Sequence, residues 1–322
     1  MLPLISLLLS ITTVYLVKQQ FQTVLIDIQN DRSSHTQPTP RGGGLGFIVA
    51  FAATSLIYAY QAQITSDTLW WWSVLLPLAI IGICDDRWSL PSKWRYLVQL
   101  ITASIAVWHF TPFPQPWLSP LGTSGEILAI VFTIIGMTAI VNFYNFMDGL
   151  DGLVGGVATI QIAFLAFYTH QPILWLLAAA IAGFLVWNWA PAKIFMGDAG
   201  STFLGAVVAI ALLNQPTHTA HNWTAFVITL PLLADAVYTL TRRLIQRENI
   251  FQAHRSHLYQ RLQQSGLAHS TVASIYVGVT MAIALAVLSY DDFGAIGSVV
   301  AIVVLMGCGE VYINRSINEA CS

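Results

Sequence analysis

Apolar segments of nearly bilayer length dominate this chain of 322 residues. A helix needs roughly 20 apolar residues to cross the hydrocarbon core of a membrane. About eleven segments approach that length, at residues 2–18, 44–62, 69–84, 95–111, 126–145, 153–169, 172–189, 201–214, 223–241, 270–288 and 294–313. Charged residues make up 9% of the sequence, against about 25% in a soluble domain. The pattern predicts an all-α polytopic membrane protein, with residues 1–322 forming one integral-membrane domain.

The Lys and Arg residues are distributed asymmetrically among the connections between these segments. All 13 of them fall in alternate connections, counted from the first, or in the C-terminal tail. Because membrane proteins retain basic residues on the cytoplasmic side, we expect that face to be cytoplasmic, with the N-terminus outside and the C-terminus inside. The first segment has no basic residue before it and no small-residue cleavage site after it, so we interpret it as a retained helix.

A polar stretch, residues 142–156, joins the fifth and sixth segments. Asn142, Asn145, Asp148 and Asp151 recur at every third position, and the stretch has no Lys or Arg. In a helix this spacing keeps side chains near one face. Amides and carboxylates without bases are typical ligands of a hard cation such as Mg²⁺, together with a phosphate. The alternative is turn chemistry, in which Asp supports a glycine-rich bend through local hydrogen bonds.

Two more acidic motifs lie on the same predicted face. Asp85 and Asp86 end the third segment. Adjacent like charges beside lipid favour a bound cation or proton, and solvated acids at the membrane surface are the alternative. Asp198, in the sequence FMGDAGS, precedes the eighth segment. Amides at a helix start can bind phosphate while the carboxylate binds its metal, and a simple helix cap is the alternative.

Two basic motifs complete this face. Arg41 precedes three glycines, including Gly43. Glycine permits close approach of a ligand to the backbone, and a flexible hinge is the alternative. His254, Arg255 and His257 lie among further arginines. That setting favours an anion clamp for phosphate over a metal-binding histidine pair.

Other polar residues in or beside apolar segments have simpler interpretations. His218 and His221 repeat the HxxH spacing on the opposite face, with no carboxylate or base nearby in the sequence, so we expect them to be structural. Asp235 lies within the ninth segment, where an unpaired charge is expensive, and we expect it to face the bundle interior. Arg242 and Arg243 are interpreted as marking the membrane boundary.

Taken in order, the motifs resemble those of the polyprenyl-phosphate N-acetylhexosamine-1-phosphate transferases. The resemblance covers nearly the whole chain. It rests on Asp85-Asp86, the Asn-x-x-Asn-x-x-Asp-x-x-Asp run of 142–151, the MGDAGS sequence of 196–201 and the histidine-containing ninth connection. The sequences RSSHTQPTPRGGG and HRSHLYQRL look most like the branch that starts O-antigen or capsule synthesis. The second of them lacks the His-x-His-His or triple-His form that is commoner in the family.

The resemblance implies a reaction and a location. Undecaprenyl phosphate would attack the sugar-linked phosphorus of a UDP-N-acetylhexosamine and release UMP, with Mg²⁺, or Mn²⁺ in its place, as cofactor. The sugar would be N-acetylglucosamine or a 6-deoxy sugar such as N-acetylfucosamine or N-acetylquinovosamine, in the first membrane step of a cell-envelope polysaccharide. The protein would be a multi-pass protein of the bacterial cytoplasmic (inner) membrane, with its active site on the cytoplasmic face. Membrane lipid is an expected partner, nucleic acid is not, and a homodimer is left open.

The resemblance also implies roles for individual residues. The metal ligands would be Asn145 and Asp198. A catalytic group of acids would comprise Asp85, Asp86, Asp148 and Asp151. Within it, Asp85 would accept a proton from the lipid phosphate or position it, and Asp86 would support metal or substrate. Asp148 and Asp151 would shape the nucleotide-sugar site. Phosphate or sugar would be bound by Arg41, Gly43, Lys93, Asn142, Lys193, His254, Arg255 and His257.

Two other functions share some of these features. A membrane prenyltransferase also uses acids at helix ends and a magnesium diphosphate, but it does not need Arg255 with flanking histidines. A transporter or lipid flippase also carries acids in membrane helices. It should place charges near the middle of the membrane and show inverted repeats, whereas these acids cluster at one surface and no repeat is visible.

Overall fold

The computed structural model describes residues 1–21, 25–27, 38–62, 65–214, 219–250, 252 and 254–321. Over these residues the protein consists of helices and one antiparallel pair of two-residue strands, β1 (Ile26–Asp27) and β2 (Thr39–Pro40). The predicted all-α class is therefore confirmed.

The helices follow the predicted apolar segments. The first eight are α1 (Leu2–Phe21), α2 (Gly43–Ala62), α3 (Thr65–Trp88), α4 (Ser92–Phe110), α5 (Thr123–Met147), α6 (Leu153–Tyr168), α7 (Ile173–Asn188) and α8 (Asp198–Leu213). The others are α9 (Thr219–Phe226), α10 (Leu230–Ile245), α11 (Leu258–Gln264) and α12 (His269–Cys321). Short 3₁₀ turns occur at Pro116–Leu121 and Val227–Thr229.

The lengths and compositions of these helices are those of a multi-pass membrane protein. Within the described residues, six helical stretches are long and apolar enough to cross a membrane, and α6, α7 and α8 are shorter apolar helices. The number of crossings and their orientation stay predictions.

Two of the helical stretches are interrupted. α9, the 3₁₀ turn and α10 follow one another directly, and Pro231 in the first turn of α10 removes a backbone donor. The carbonyl of Ile228 at this interruption accepts a hydrogen bond from Gln161 Nε2 at 2.9 Å. α12 consists of two helices joined by a kink at Asp291, where φ is +46°, and these two halves match the predicted segments 270–288 and 294–313.

Helix α8 lies at the centre of the bundle. Its residues from Ala199 to Leu213 are all buried, as expected of a helix that is apolar on every side. Its first residue is Asp198. The end of the most buried helix therefore carries one of the predicted metal ligands.

Two glycines allow other elements to approach the first turn of α8. A Cβ on Gly82 of α3 would lie 2.4 Å from the Cα of Ala199, and one on Gly44 of α2 would lie 2.5 Å from the Cα of Gly200. Small residues at helix contacts let backbones come this close in membrane proteins. The ends of α2 and α3 are thereby brought to Asp198.

We predict that Gly82→Ala destabilises the fold, because the new methyl group meets backbone that cannot move away. Overpacking of this kind costs about 1–3 kcal/mol. Thermal unfolding in detergent would measure the loss. Gly278→Ala is the matched control, since nothing lies within 4 Å of a Cβ at that position. Equal unfolding temperatures for the two variants would contradict the packing argument.

Candidate active site

The Asp86 carboxylate caps the N-terminus of α8. Its Oδ1 accepts a hydrogen bond from the Asp198 amide at 2.9 Å, and its Oδ2 accepts one from the Ala199 amide at 3.2 Å. Gly197, just before them, has φ +79°, and a Cβ there would lie 2.7 Å from Asp86 Oδ2. An acid at this position satisfies free amides and complements the helix dipole. The structure thus gives Asp86 a scaffold role, and its predicted role in supporting metal or substrate stays a prediction.

Asp85 and Asp198 share one guanidinium group. Arg95 Nη1 lies 2.6 Å from Asp85 Oδ2 and 3.3 Å from Asp198 Oδ2. The other oxygen of Asp85 accepts a hydrogen bond from the Leu90 amide at 2.7 Å. Arg95 was not among the predicted site residues. A signal was available in the sequence, because an acid at the end of an apolar segment favours a nearby cation, but the sequence does not say which of the nearby bases provides it.

Asn145 joins this group from α5. Its Nδ2 donates to Ser201 Oγ at 3.1 Å, and its amide faces the Asp198 carboxylate. The structure therefore brings together both predicted metal ligands and both adjacent acids. They come from three helices: α3, α5 and α8.

Asp148 lies at the edge of the same cluster. It follows the last residue of α5, so the spacing of three does not keep it on the helix face of Asn145 as predicted. Burial raises the pKa of its carboxyl well above the usual range, the carboxylates of Asp198 and Asp86 raise it further, and Arg41 opposes them. The same repulsion favours binding of a cation.

Asp151 connects the turn after α5 to two other segments. Its Oδ2 accepts a hydrogen bond from the Ala192 amide at 3.0 Å, and its Oδ1 lies 3.5 Å from His269 Nδ1 at the start of α12. Nearby, the Gly152 amide donates to Asn188 Oδ1 at 3.1 Å. These contacts lock the turn onto the loop that leads to Asp198. The predicted catalytic role of Asp151 stays a prediction.

The glycines after Arg41 bind protein backbone. The Gly43 amide donates to the Phe195 carbonyl at 2.9 Å, and the Gly44 amide donates to the Met196 carbonyl at 2.9 Å. The close approach that the glycines permit is therefore to the loop before Asp198. Arg41 lies near enough to influence Asp86 and Asp148 electrostatically, as a phosphate-binding base at this site should.

Three predicted substrate-binding residues point to other partners. Lys93 Nζ lies 5.6 Å from the ring centre of Trp94, and Lys193 Nζ lies 5.5 Å from that of Trp187. Asn142 donates to Gln99 Oε1 and to the Thr138 carbonyl, both at 2.7 Å. Across the described part of the chain, none of the three makes an ion pair or hydrogen bond with Asp85, Asp86 or Asp198. Their predicted substrate contacts stay predictions.

The two histidines of the ninth connection differ in their surroundings. His257 is 3% exposed, and its Nδ1 lies 3.5 Å from Asp235 Oδ1. His254 is half-buried, with Nδ1 3.0 Å from Ser256 Oγ. Burial lowers the pKa of His254 to about 4, helped by His257 and by the arginines of α10. At neutral pH His254 is therefore an uncharged hydrogen-bonding group.

Two arginines organise this connection. Arg242 Nη2 donates to the Ser256 carbonyl at 3.1 Å, and Arg243 Nη2 donates to the Asn249 carbonyl at 3.0 Å. Their predicted role as simple boundary markers is therefore incomplete. Arg255 Nη2 lies 3.5 Å from Gln263 Oε1, within the same segment.

The histidine on the opposite face has acidic neighbours after all. His221 Nδ1 lies 3.3 Å from the Tyr168 hydroxyl, which donates to Asp291 Oδ1 at 2.6 Å. No carboxylate lies near His221 in the sequence, but the kink of α12 brings Asp291 back to α6 and α9 in the structure. Its structural interpretation is supported by these contacts. His218 lies outside the described residues.

Comparison with known proteins places this site in a family. The sequence profile of "Glycosyl transferase family 4" matches residues 68–215. A probable undecaprenyl-phosphate N-acetylglucosaminyl 1-phosphate transferase of Bacillus subtilis is 30% identical over 85% of this chain and 81% of its own length. The decaprenyl-phosphate N-acetylglucosaminephosphotransferase of Mycolicibacterium smegmatis is 28% identical over 77% of this chain and 71% of its own length. The phospho-N-acetylmuramoyl-pentapeptide-transferase of Listeria monocytogenes is 31% identical over 62% of this chain and 68% of its own length.

Together with these relatives, the all-α membrane bundle identifies the protein as a membrane transferase. The chain belongs to glycosyl transferase family 4, as a polyprenyl-phosphate hexosamine-1-phosphate transferase.

We predict that Arg95→Ala lowers sugar-phosphate transfer to polyprenyl phosphate by about tenfold to a hundredfold, the value of one to two charged hydrogen bonds. The reason is that Asp85 and Asp198 lose their shared cation. Initial rates in detergent would measure the loss. Arg87→Ala is the matched control, because Arg87 is an exposed arginine at the end of α3. Similar rates for both variants would refute the bridging role.

Proposed function

We propose that the chain transfers N-acetylhexosamine 1-phosphate from a UDP-sugar to undecaprenyl phosphate and releases UMP. One observation carries the proposal: Asp85, Asp198 and Asn145 meet at the N-terminus of α8, with Arg95 between the two acids. Oxygen ligands and a guanidinium at one helix end suit a reaction in which phosphates must be brought together. The relatives named for transfer to undecaprenyl and decaprenyl phosphate support the acceptor.

The donor set suits magnesium that arrives with a diphosphate. In the described part of the chain, no three His, Cys, Asp or Glu side chains are arranged to hold a metal by themselves. Mg²⁺ is commonly bound through one or two carboxylates together with substrate phosphates. Asp198 would provide one carboxylate, and the side-chain oxygen of Asn145 would provide a further oxygen ligand. When bound, the ion neutralises charge on the diphosphate and polarises its phosphoryl oxygens.

The reaction needs little covalent chemistry from the protein. An oxygen of the acceptor phosphate forms a bond to the sugar-linked phosphorus, and the bond from that phosphorus to UMP breaks, with the electron pair leaving on UMP. A phosphate with a second pKa near 6 is mostly dianionic at neutral pH. Asp85 then serves chiefly to position the acceptor, together with Arg95, and accepts a proton only from a monoanionic phosphate.

The remaining site residues bind and orient the donor. Arg41 and Arg255 attract its phosphates, and Asp148 shapes the sugar-nucleotide side of the cluster. Neutral His254 donates or accepts a hydrogen bond. The site lies on the cytoplasmic face of a bacterial inner membrane, in a bundle of about eleven crossings.

The sugar is N-acetylglucosamine or a 6-deoxy-N-acetylhexosamine, and the product starts an O-antigen, a capsule or a wall polymer. The names of two relatives favour N-acetylglucosamine, whereas the sequences of the first and ninth connections favour the O-antigen or capsule branch. Incubation of purified protein with undecaprenyl phosphate, Mg²⁺ and a panel of UDP-sugars, with UMP as the readout, tests both. Release of pyrophosphate instead of UMP would refute the proposal. So would a failure to release UMP from any UDP-N-acetylhexosamine in the panel.

We predict that Asp198→Asn abolishes UMP release while the variant still folds and inserts, because an amide replaces the anionic metal ligand. Chelation of divalent metal should abolish the wild-type reaction in the same way. The matched control is His221→Ala on the opposite face, which should retain near-normal turnover. Normal turnover of Asp198→Asn with added Mg²⁺ would contradict the metal assignment.

A further inference from the structure

Asp235 is a buried acid in α10 with an unusually complete set of partners. It is 2% exposed, in a helix where an unpaired carboxylate is expensive. Its oxygens accept hydrogen bonds from the Leu258 amide at 2.8 Å, the Tyr259 amide at 3.0 Å and the Tyr276 hydroxyl at 2.7 Å. One side chain thereby joins α10, α11 and α12.

The contact fixes where α11 begins. The amides of Leu258 and Tyr259 are the first two of this helix, so Asp235 caps α11 from a membrane helix as Asp86 caps α8. A charged acceptor at a helix start is stronger than a neutral cap. His257, just before the helix, lies 3.5 Å from the same carboxylate.

From this anchor, α11 reaches the candidate active site through one side chain. Tyr259 is fully buried, and its hydroxyl donates to the Phe146 carbonyl at 3.0 Å. A Cβ on Gly149 would lie 2.3 Å from that hydroxyl. Residues 146–149 include Asp148, so the amide of Tyr259 is held by Asp235 while its hydroxyl holds the turn that carries Asp148.

We propose that Asp235 is a positioning residue of this transferase: through the start of α11 and the Tyr259 hydroxyl, it sets the turn that places Asp148 against the nucleotide sugar. The inference rests on the proposed function for the identity of the donor. It assigns roles to two residues, Asp235 and Tyr259, that lie outside the cluster of acids.

The test uses Asp235→Asn, Tyr259→Phe and the double variant of the full-length protein. Asp235→Asn replaces one acceptor oxygen by an NH2 group, which faces one of the two α11 amides and cannot accept from it, and Tyr259→Phe keeps the buried ring but removes the hydroxyl. We expect Asp235→Asn to lower kcat for UMP release by about tenfold to a hundredfold, the loss of a charged hydrogen bond, and Tyr259→Phe to lower it by about threefold to tenfold, the loss of a neutral one. The KM for undecaprenyl phosphate should not change, and the double variant should be no worse than the poorer single variant.

Thr239→Val is the matched control. The Thr239 hydroxyl donates to Asp235 Oδ1 at 3.1 Å from within α10, so its removal leaves the contacts to α11 in place. We expect its kcat within about twofold of wild type, whatever it does to thermal unfolding. A purely structural role of Asp235 would instead make loss of activity follow loss of unfolding temperature across all variants.

The outcomes separate this inference from the proposed function. A wild-type protein that releases no UMP refutes the proposed function. If the wild-type protein is active and Tyr259→Phe keeps a normal kcat, the positioning role alone is overturned. This measurement can be made even if Asp235→Asn fails to fold. Losses that multiply in the double variant also overturn it, since the two residues would then act separately.

Discussion

The contact between the Asp86 carboxylate and the first amides of α8 is the one on which the candidate site depends. α8 is buried along its length, and a buried helix end leaves amides without partners unless the protein provides an acceptor. Asp86 provides it from α3, with a charge that the helix dipole favours. The acid that follows in the chain, Asp198, is thereby placed beside Asp85 at the end of a rigid helix.

A second constraint follows from the first, because acids gathered at one helix end repel each other. Arg95 offsets the repulsion between Asp85 and Asp198 by pairing with both. Arg41, in the first connection, partly offsets the negative charge around Asp86 and Asp148. A site of mixed charge results, in which carboxylate and amide oxygens lie close to guanidinium groups. The glycines that follow Arg41 contribute by packing, since they let its segment lie directly on the loop before Asp198.

A second buried acid, in α10, also caps the start of another helix. Asp235 caps α11, whose Tyr259 rests on the turn after α5. Farther along α11, Arg261 pairs with both carboxylate oxygens of Glu310 in the last half of α12. A short helix outside the apolar segments is thus held by charged groups of two membrane helices. Such anchoring fixes the position of a segment that is too short to form a core of its own.

Much of the fold and part of the site could be predicted from sequence, because hydropathy and residue spacing are local properties. The apolar segments predicted the helices, and the resemblance of the acidic and amide motifs to a known family implied that Asn145 and Asp198 share a site. The exact ends of helices were harder to predict from sequence. α5 ends at Met147, so Asp148 does not share the helix face of Asn142 and Asn145. Asp291 reaches Tyr168, the partner of His221, because α12 is kinked, and no local sequence pattern predicted that kink.

By itself, the sequence determined that this chain is a helical membrane protein, and it predicted that the acids, amides and bases of the motifs lie on one side. Tertiary structure alone decided which of those groups meet. Arg95, not Lys93 or Lys193, pairs with Asp85, and Asp86 and Asp235 serve helix starts more than 20 residues away in the chain. The physical reason is that the sequence shows which charged residues lie in apolar segments, where burial is costly. Only the packing of the helices determines which partner offsets that cost.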